Sequence, residues 1–396
     1  MTILRRETPW TQRPALGLLT EALGVQNIRW VGGAVRDTLL GIAVHDVDCA
    51  TVLTPDAVIV QCDKAGIRTA PTGIDHGTVT AILKDEVGTM PVEVTTLRRD
   101  VATDGRRATV AFSQHWEEDA ARRDFTINAL YAHPETLAVS DYFGGLADLA
   151  ARRVRFIGDP RERIAEDHLR ILRYYRFQAR FGEGCDVEAE EACAAMAPTL
   201  KGLSRERIAG ELLALLALPD PHETIARMSE AGVLGVILPE ADDETLAALA
   251  RLQIFEREQE LTPAPLRRLA ALLPPDSAIA ETVAARLRLS KAQRARLVSA
   301  SKRRPGDADN PRALAYRIGG AEGVDRLALL GKSVRELTLW EPPVFPLKGG
   351  TIVARGVAAG PEVARILQAV EARWVAEDFP NTARVQQLLE RELAES

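Results

Sequence analysis

The run Val31-Gly32-Gly33-Ala34-Val35-Arg36-Asp37, followed closely by His45-Asp46-Val47-Asp48, constrains this chain more than any other stretch. Residues 28–31 (Ile-Arg-Trp-Val) read as a short buried strand, and Ala34 to Leu40 as a helix opening directly after a glycine pair. Glycine lets backbone approach a ligand without a Cβ in the way, and a helix start carries unpaired N–H groups and a positive dipole end. The strand, turn and helix therefore form a candidate cradle for phosphates, with Gly32, Gly33 and Arg36 as its residues.

Asp46 and Asp48 lie two positions apart, a spacing that in a strand turns both carboxylates one way and Val47 to the core. Mg²⁺ takes few protein carboxylates and completes its shell with water and phosphate oxygens, so such a pair beside a phosphate cradle suits it. Taken separately, Gly-Gly is a turn and Asp-x-Asp a solvated strand end. In this order and spacing they point to nucleotidyl transfer, with Asp46 and Asp48 as metal ligands.

A chain of 396 residues exceeds what one core serves, so two or more domains are expected. A net charge of −6 argues against a protein that coats nucleic acid indiscriminately, yet leaves room for a local basic track. Cys49, Cys62, Cys185 and Cys193 show neither metal-ligand spacing nor a secreted disulfide framework, which makes a cytoplasmic setting the expectation. The first residues lack a signal-peptide core, and no run approaches about 18 apolar residues, so neither export nor a membrane span is expected.

Strand signals at 28–31, 47–50, 78–83 and 92–97 alternate with helical ones at 34–40 and 55–65, then give way to a nearly all-helical pattern after about 150. The expected architecture is an α+β head with a mixed sheet over 1–145, then an all-α neck at 146–215, body at 216–300 and tail at 301–396. Breaks at Leu218-Pro219-Asp220-Pro221, Leu273-Pro274-Pro275 and Arg304-Pro305-Gly306 mark the helical sections.

Further segments carry polar residues in telling places. In VEVTTL (92–97), Glu93 faces away from Val92 and Val94; it is either a third carboxylate near the metals or a surface glutamate on an edge strand, because alternation does not choose the face. In ARRDFTINALY (121–131), Arg122 and Arg123 offer donors for phosphates or bases with Asp124 placed to orient them, or else form a salt-bridged helix end. In RIAEDHLRILRYYRF (163–177), the periodicity predicts one helix with Ile164, Ile171, Leu172 and Tyr175 on an apolar stripe. Arg163, Asp167, Arg170 and Tyr174 fall on another face, so Asp167 and Arg170 become i, i+3 neighbours.

With GGAVRD and DVD (32–48), PTGIDHGTVT (71–80), VEVTTLRRD (92–100), ARRDFTINALY, DYFGGLADL (141–149) and RIAEDHLRILRYYRFQARFG (163–182) in order, the chain resembles the bacterial tRNA nucleotidyltransferase and poly(A) polymerase family, class II CCA-adding type. The resemblance covers most of the length and implies a nucleotidyltransferase head on a helical neck, body and tail that hold tRNA. It favours the functional reading of Arg122, Arg123, Asp124 and Asn128, and makes Glu166-Asp167-His168-Leu169-Arg170 similar to the family's base-reading template. Cytosine and adenine present an amino donor beside an unprotonated ring nitrogen; Asp accepts, Arg donates, and uracil and guanine are opposed. Glu166 orients Arg170 by the same likeness.

The reading is a CCA tRNA nucleotidyltransferase using CTP, ATP and two Mg²⁺ ions, with tRNA as partner, no membrane and no protein partner implied. The neighbouring activities are a bacterial poly(A) polymerase and CC-only or A-only enzymes. RTAPTGIDHGTVT is similar to CCA-adding members, whereas polymerases of the family show a basic Gly-Arg-Arg-Phe-like element. The segment from Arg98-Arg99-Asp100 to Asp104-Gly105-Arg106-Arg107 resembles the basic/acidic loop that CC-only members lack. A non-catalytic RNA-binding protein would not need the Asp46/Asp48 pair, and a small-molecule nucleotidyltransferase would lack the template and long helical tail. Arginines at 152, 153, 155, 161, 163, 173, 176 and 180 crowd the neck as candidate phosphate contacts, with Lys302, Arg303 and Arg304 as a second knot. The histidines, His45 and His76 included, receive no catalytic role.

Overall fold

A computed structural model describes residues 2–5, 7–104 and 107–395. These form two compact units, Met1–Ile237 and Leu238–Ser396. The sequence expectation of an α+β head followed by helices is what the structure has.

The first unit starts with helix α1 (Pro14–Leu23), strand β1 (Ile28–Val31), helix α2 (Gly33–Leu39) and strand β2 (Val47–Thr51). Helix α3 (Pro55–Lys64) follows; Thr54 caps it by accepting the Ala57 N–H, and Pro55 sits at its first position, where no N–H is needed. Then come β3 (Arg68–Gly73), β4 (Thr78–Asp85), β5 (Gly88–Thr96), β6 (Arg98–Asp104), β7 (Arg107–Phe112), α4 (Trp116–Ala121), β8 (Leu130–Ala132), β9 (Val139–Asp141) and α5 (Gly145–Ala150). The main sheet runs β3-β4-β5-β2-β1-β8-β9, with β6 and β7 as a separate antiparallel ribbon. Gly105 and Arg106, at the tip of the expected basic/acidic loop, lie outside the described residues.

Strands β2 and β5 pair in parallel, and this pairing builds the site. Val47, Cys49, Val92 and Val94 are buried, so the period-two alternation sends Asp48 and its register partner Glu93 to the opposite face.

The helical remainder of the unit is α6 (Pro160–Glu166), α7 (Arg170–Phe181), α8 (Val187–Met196), α9 (Arg205–Leu216), α10 (His222–Glu230) and α11 (Val233–Ile237). The single helix expected over 163–177 is two. Asp167 is extended at φ −149° and ends α6, its Oδ1 accepts the Leu169 N–H at 3.1 Å, and α7 begins at Arg170. Asp167 and Arg170 therefore do not pair as helical neighbours: Asp167 takes Arg207 at 2.7 Å, and Arg170 takes Glu166 at 2.5 Å. Tyr174, expected on a polar face, is fully buried against Phe125 and Phe156.

The second unit comprises α12 (Asp243–Glu258), α13 (Pro265–Ala271), α14 (Ser277–Arg286), α15 (Lys291–Ser301), α16 (Pro311–Ile318), α17 (Gly320–Leu329), α18 (Gly349–Val353), α19 (Pro361–Ala376) and α20 (Thr382–Glu395). Ile366, Val370, Trp374, Val385, Leu388 and Leu389 form one core of it. Buried Glu256 accepts from Arg267 and Arg268, while buried Asp325 accepts from Arg267 and Arg296; each buried charge is thus paired. Among the described residues no helix is long and apolar enough to cross a membrane.

Candidate active site

Gly32 has φ +68° and ψ −124°, a conformation that side-chain-bearing residues avoid, and this turn swings the chain from β1 into α2. Its N–H is already bonded to the Leu130 carbonyl at 3.3 Å, so the bare donors expected from the glycine pair reduce to those of the first turn of α2. Arg36 is 5% exposed. Its guanidinium donates to Asp37 at 2.7 Å and Asn128 at 2.5 Å and stacks on Phe181, so it points into the protein.

Asp48 and Glu93 line a cleft of about 180 Å³ together with Val31, Cys49, Thr95, Arg98, Arg122 and Arg123. Burial, with the neighbouring charges of Glu93 and Asp46, lifts the Asp48 carboxyl to about 6, against the opposing pull of Arg123. Asp46 is exposed in the loop before β2, which starts at Val47, so strand alternation does not by itself bring the two aspartates together. Among the described residues no set of three His, Cys, Asp or Glu side chains is gathered as a metal cage. The donor set instead fits an ion that takes two or three carboxylate oxygens and completes its shell from water and phosphate. The negative charge that Glu93 and Asp46 bring to bear on the Asp48 carboxyl is what a divalent cation relieves.

Arg122 and Arg123 are oriented by Asp119, and not by Asp124 as their adjacency suggests. Asp119 on α4 is 1% exposed and accepts from Arg122 Nε at 2.8 Å, Arg123 Nη2 at 3.1 Å, the Tyr131 hydroxyl at 2.7 Å and the Arg98 N–H at 3.2 Å. Burial would raise this carboxyl, but the Arg123 and Arg122 charges and the Tyr131 hydroxyl outweigh it and pull it down to about 2. Asp119 precedes the arginines by three and four residues, the helical spacing that could have revealed it. Asp124 instead accepts from Arg173 at 2.5 Å and from Asn128 at 3.0 Å.

Asp119→Asn keeps the side-chain shape but removes the charge that holds both arginines. We expect a loss of about 2 kcal/mol of stability at pH 7, an order-of-magnitude value for a hydrogen bond to a charged group. A depressed carboxyl stabilises fully above its ordinary 3.8 and loses that contribution as pH falls toward about 2. The gap between wild type and variant in denaturant unfolding should therefore be constant from pH 7 to 5 and shrink below about 4. A gap that widens in acid would show that Asp119 is not held ionised by these arginines.

Next to this cleft stands the second group. Arg170 donates to Glu166 at 2.5 Å, to the Arg163 carbonyl at 2.7 Å and to the Arg122 carbonyl at 3.2 Å. Arg163 is braced by Glu166 and by the carbonyls of Arg122 and Arg123. The backbone of the cleft arginines is thus the floor on which Arg170 rests. Most of the neck arginines expected on phosphates are spent within the fold: Arg153 and Arg155 on buried Asp148, Arg173 and Arg176 on Glu211, Arg180 on Asp37. Arg207 and Asp119 are positioning side chains that the sequence reading missed, and Arg163, expected on phosphates, is a third.

The family model of the Poly A polymerase head domain matches residues 28–155, and that of the probable RNA and SrmB-binding site of polymerase A matches 186–245. The mouse mitochondrial CCA tRNA nucleotidyltransferase 1 is 34% identical over 390 residues, spanning 90% of this chain and 85% of its own. The chain belongs to the CCA tRNA nucleotidyltransferase family. A CCA-adding enzyme of Streptococcus pneumoniae (serotype 19F, strain G54) is 42% identical over 204 residues, covering 51% of this chain and 49% of its own. The crystal structure of the Bacillus stearothermophilus CCA-adding enzyme in complex with CTP superposes with a TM-score of 0.76 at 26% identity, over 96% of this chain and 97% of that one. As a family member the chain is a nucleotidyltransferase, and the family's chemistry is metal-dependent.

Proposed function

We propose that this CCA tRNA nucleotidyltransferase adds C, C and A to tRNA 3′ ends from CTP and ATP, in the cytoplasm, with Mg²⁺ at Asp46 and Asp48. The observation that carries the reading is the register pairing of Asp48 with Glu93, in one cleft with two arginines fixed by Asp119, beside the Glu166-braced Arg170. Glu93 is the carboxylate that joins Asp48 in lining the cleft, with Asp46 in the loop before β2. When bound, the ions supply acidification of the tRNA 3′-hydroxyl and screening of the triphosphate.

The protein's own residues do the rest by positioning. Gly32 and Gly33 shape the turn at the phosphate end, and Arg122 and Arg123 supply fixed positive charge for the developing pyrophosphate. Asp167 and Arg170 read the base. Three of the five Arg170 N–H groups are engaged by Glu166, Arg163 and Arg122, leaving the Nε–H and one Nη2–H for a ring nitrogen. Asp167, held by Arg207 and the Leu169 N–H, keeps lone pairs for an exocyclic amine. The functional division proposed is a head at 1–145, neck at 146–215, body at 216–300 and tail at 301–396. The four cysteines are free thiols, in keeping with a reducing compartment.

The test uses tRNA transcripts ending before CCA, after C and after CC, with each nucleotide supplied alone. CTP should extend the first two and stop, and ATP should extend only the third, by a single residue. ATP tailing of all three would identify a poly(A) polymerase. Failure on the third alone would identify a CC-adding enzyme.

A further inference from the structure

We propose that the outer face of helix α12 is a docking surface for a second copy of this chain, the two helices packing antiparallel about a twofold axis between Ile254 and Phe255. The face is set by what α12 buries. Thr245, Leu249, Leu252, Gln253 and Glu256 point into the second unit, and Glu256 is held there by Arg267 and Arg268. Those contacts fix the helix about its own axis and turn Arg251, Ile254 and Glu258 outward, where all three are exposed.

Arg251, Ile254, Phe255 and Glu258 line one side of a groove of about 320 Å³, and Leu329 and Leu330 at the end of α17 line the other. Ile254 is 49% exposed. Apolar surface continues past the groove: Phe255 and Trp340, each partly buried, pack on the same small core of Ala315, Leu327, Val334 and Leu337, and Leu339 beside Trp340 is 95% exposed. Single exposed aliphatic side chains are ordinary, whereas a groove with an apolar rim marks a surface that meets another molecule.

The charges choose the occupant. Arg251 and Glu258 stand two helical turns or about 10 Å apart, with Ile254 and Phe255 midway between them. Charges on a surface helix commonly find an opposite charge one turn away. Arg251 has only Ala247, Ala248, Ile254 and Phe255 at those positions, and among the described residues neither it nor Glu258 enters an ion pair within the fold. An antiparallel copy brings Arg251 opposite Glu258 of the partner subunit, and the twofold axis makes that pair twice. Between the two pairs, Ile254 meets Phe255 of the partner subunit. An apolar centre flanked by complementary charges is how paired helices select partner and direction. An RNA would be repelled by Glu258, and a different protein would need no such symmetry about one point of the helix.

Sedimentation equilibrium of the full chain tests this. Wild type should dimerise reversibly with a Kd on the order of 10 μM, the weak end for an interface built on one helix face. Arg251→Glu and Glu258→Arg each set like charges opposite one another at both pairs, and each should weaken dimerisation about tenfold or more. Mixed in equal amounts, these two variants should dimerise as wild type does, because both pairs are attractive again in the mixed dimer. Ile254→Asp should leave a monomer at the same concentrations, and thermal unfolding of all three variants should match wild type, since the replaced side chains are exposed. A wild type that stays monomeric at about 100 μM would overturn the proposal. So would a dimer that the charge reversals do not weaken, or a mixture of the two variants that associates no better than either alone.

Discussion

Asp48→Ala is expected to reduce incorporation of CTP and ATP together to about a hundredth of wild type or less, with tRNA binding nearly unchanged. Charge neutralisation at a transferring phosphoryl group is worth several kcal/mol, and positioning supplies most of the remainder. Both nucleotides must fail together because the proposed metal ligands would act on the triphosphate and the hydroxyl, which every step shares. Asp46→Ala should follow the same pattern. More than a few per cent of activity in Asp48→Ala, or loss confined to one nucleotide, would move the reaction centre elsewhere.

A second readout needs no turnover. Burial and the Glu93 and Asp46 charges raise the Asp48 carboxyl to about 6, so in the metal-free protein it opposes folding as pH rises through that value. Added Mg²⁺ should therefore raise the melting temperature at pH 7, do so less at pH 5, and have little effect on Asp48→Ala. Equal Mg²⁺ stabilisation of wild type and variant would place the ion away from Asp48.

The parts of the fold that sequence made legible are those governed by local periodicity. Strands β1, β2, β4 and β5 alternate or bury whole and lie where the pattern placed them, except that β5 begins at Gly88, four residues before the expected 92. Strand β3 was missed because its residues, Arg68–Gly73 with Pro71, are largely exposed and carry no alternation. Strands β8 and β9 are three residues each, too short to show a period. The break between α6 and α7 has neither glycine nor proline to mark it. The Asp167 carboxylate bonds to the Leu169 N–H and to Arg207, 40 positions away, and tertiary bonds of that kind override a helical pattern.

Among site residues, the same distinction holds. Asp48 and Glu93 could be named from alternation, yet only the parallel register of β2 with β5 shows that they face one cleft. The neck arginines could be counted but not assigned, because their acidic partners Asp37, Asp148 and Glu211 come from other elements. Charge clusters in sequence do not reveal which charges the fold has already neutralised.

Arg170→Ala should lower the ratio of kcat/KM for CTP over UTP on tRNA lacking CCA by about 10- to 100-fold. The range follows from about 1–3 kcal/mol for each buried polar group left unpaired with the wrong base. Arg170 also ties Glu166, Arg163 and the Arg122 backbone together, so the variant will lose some stability and overall rate. Those losses do not enter the ratio: both nucleotides are measured on the same folded molecules, and the active fraction cancels. A side chain that only braced the neck would thus leave the ratio intact while lowering both rates. Glu166→Gln supplies the intermediate case, since it keeps an acceptor for Arg170 but removes the charge that orients it, and its ratio should fall less. If the ratio in Arg170→Ala equals that of wild type, Arg170 is a strut of the neck and the base is read by other groups.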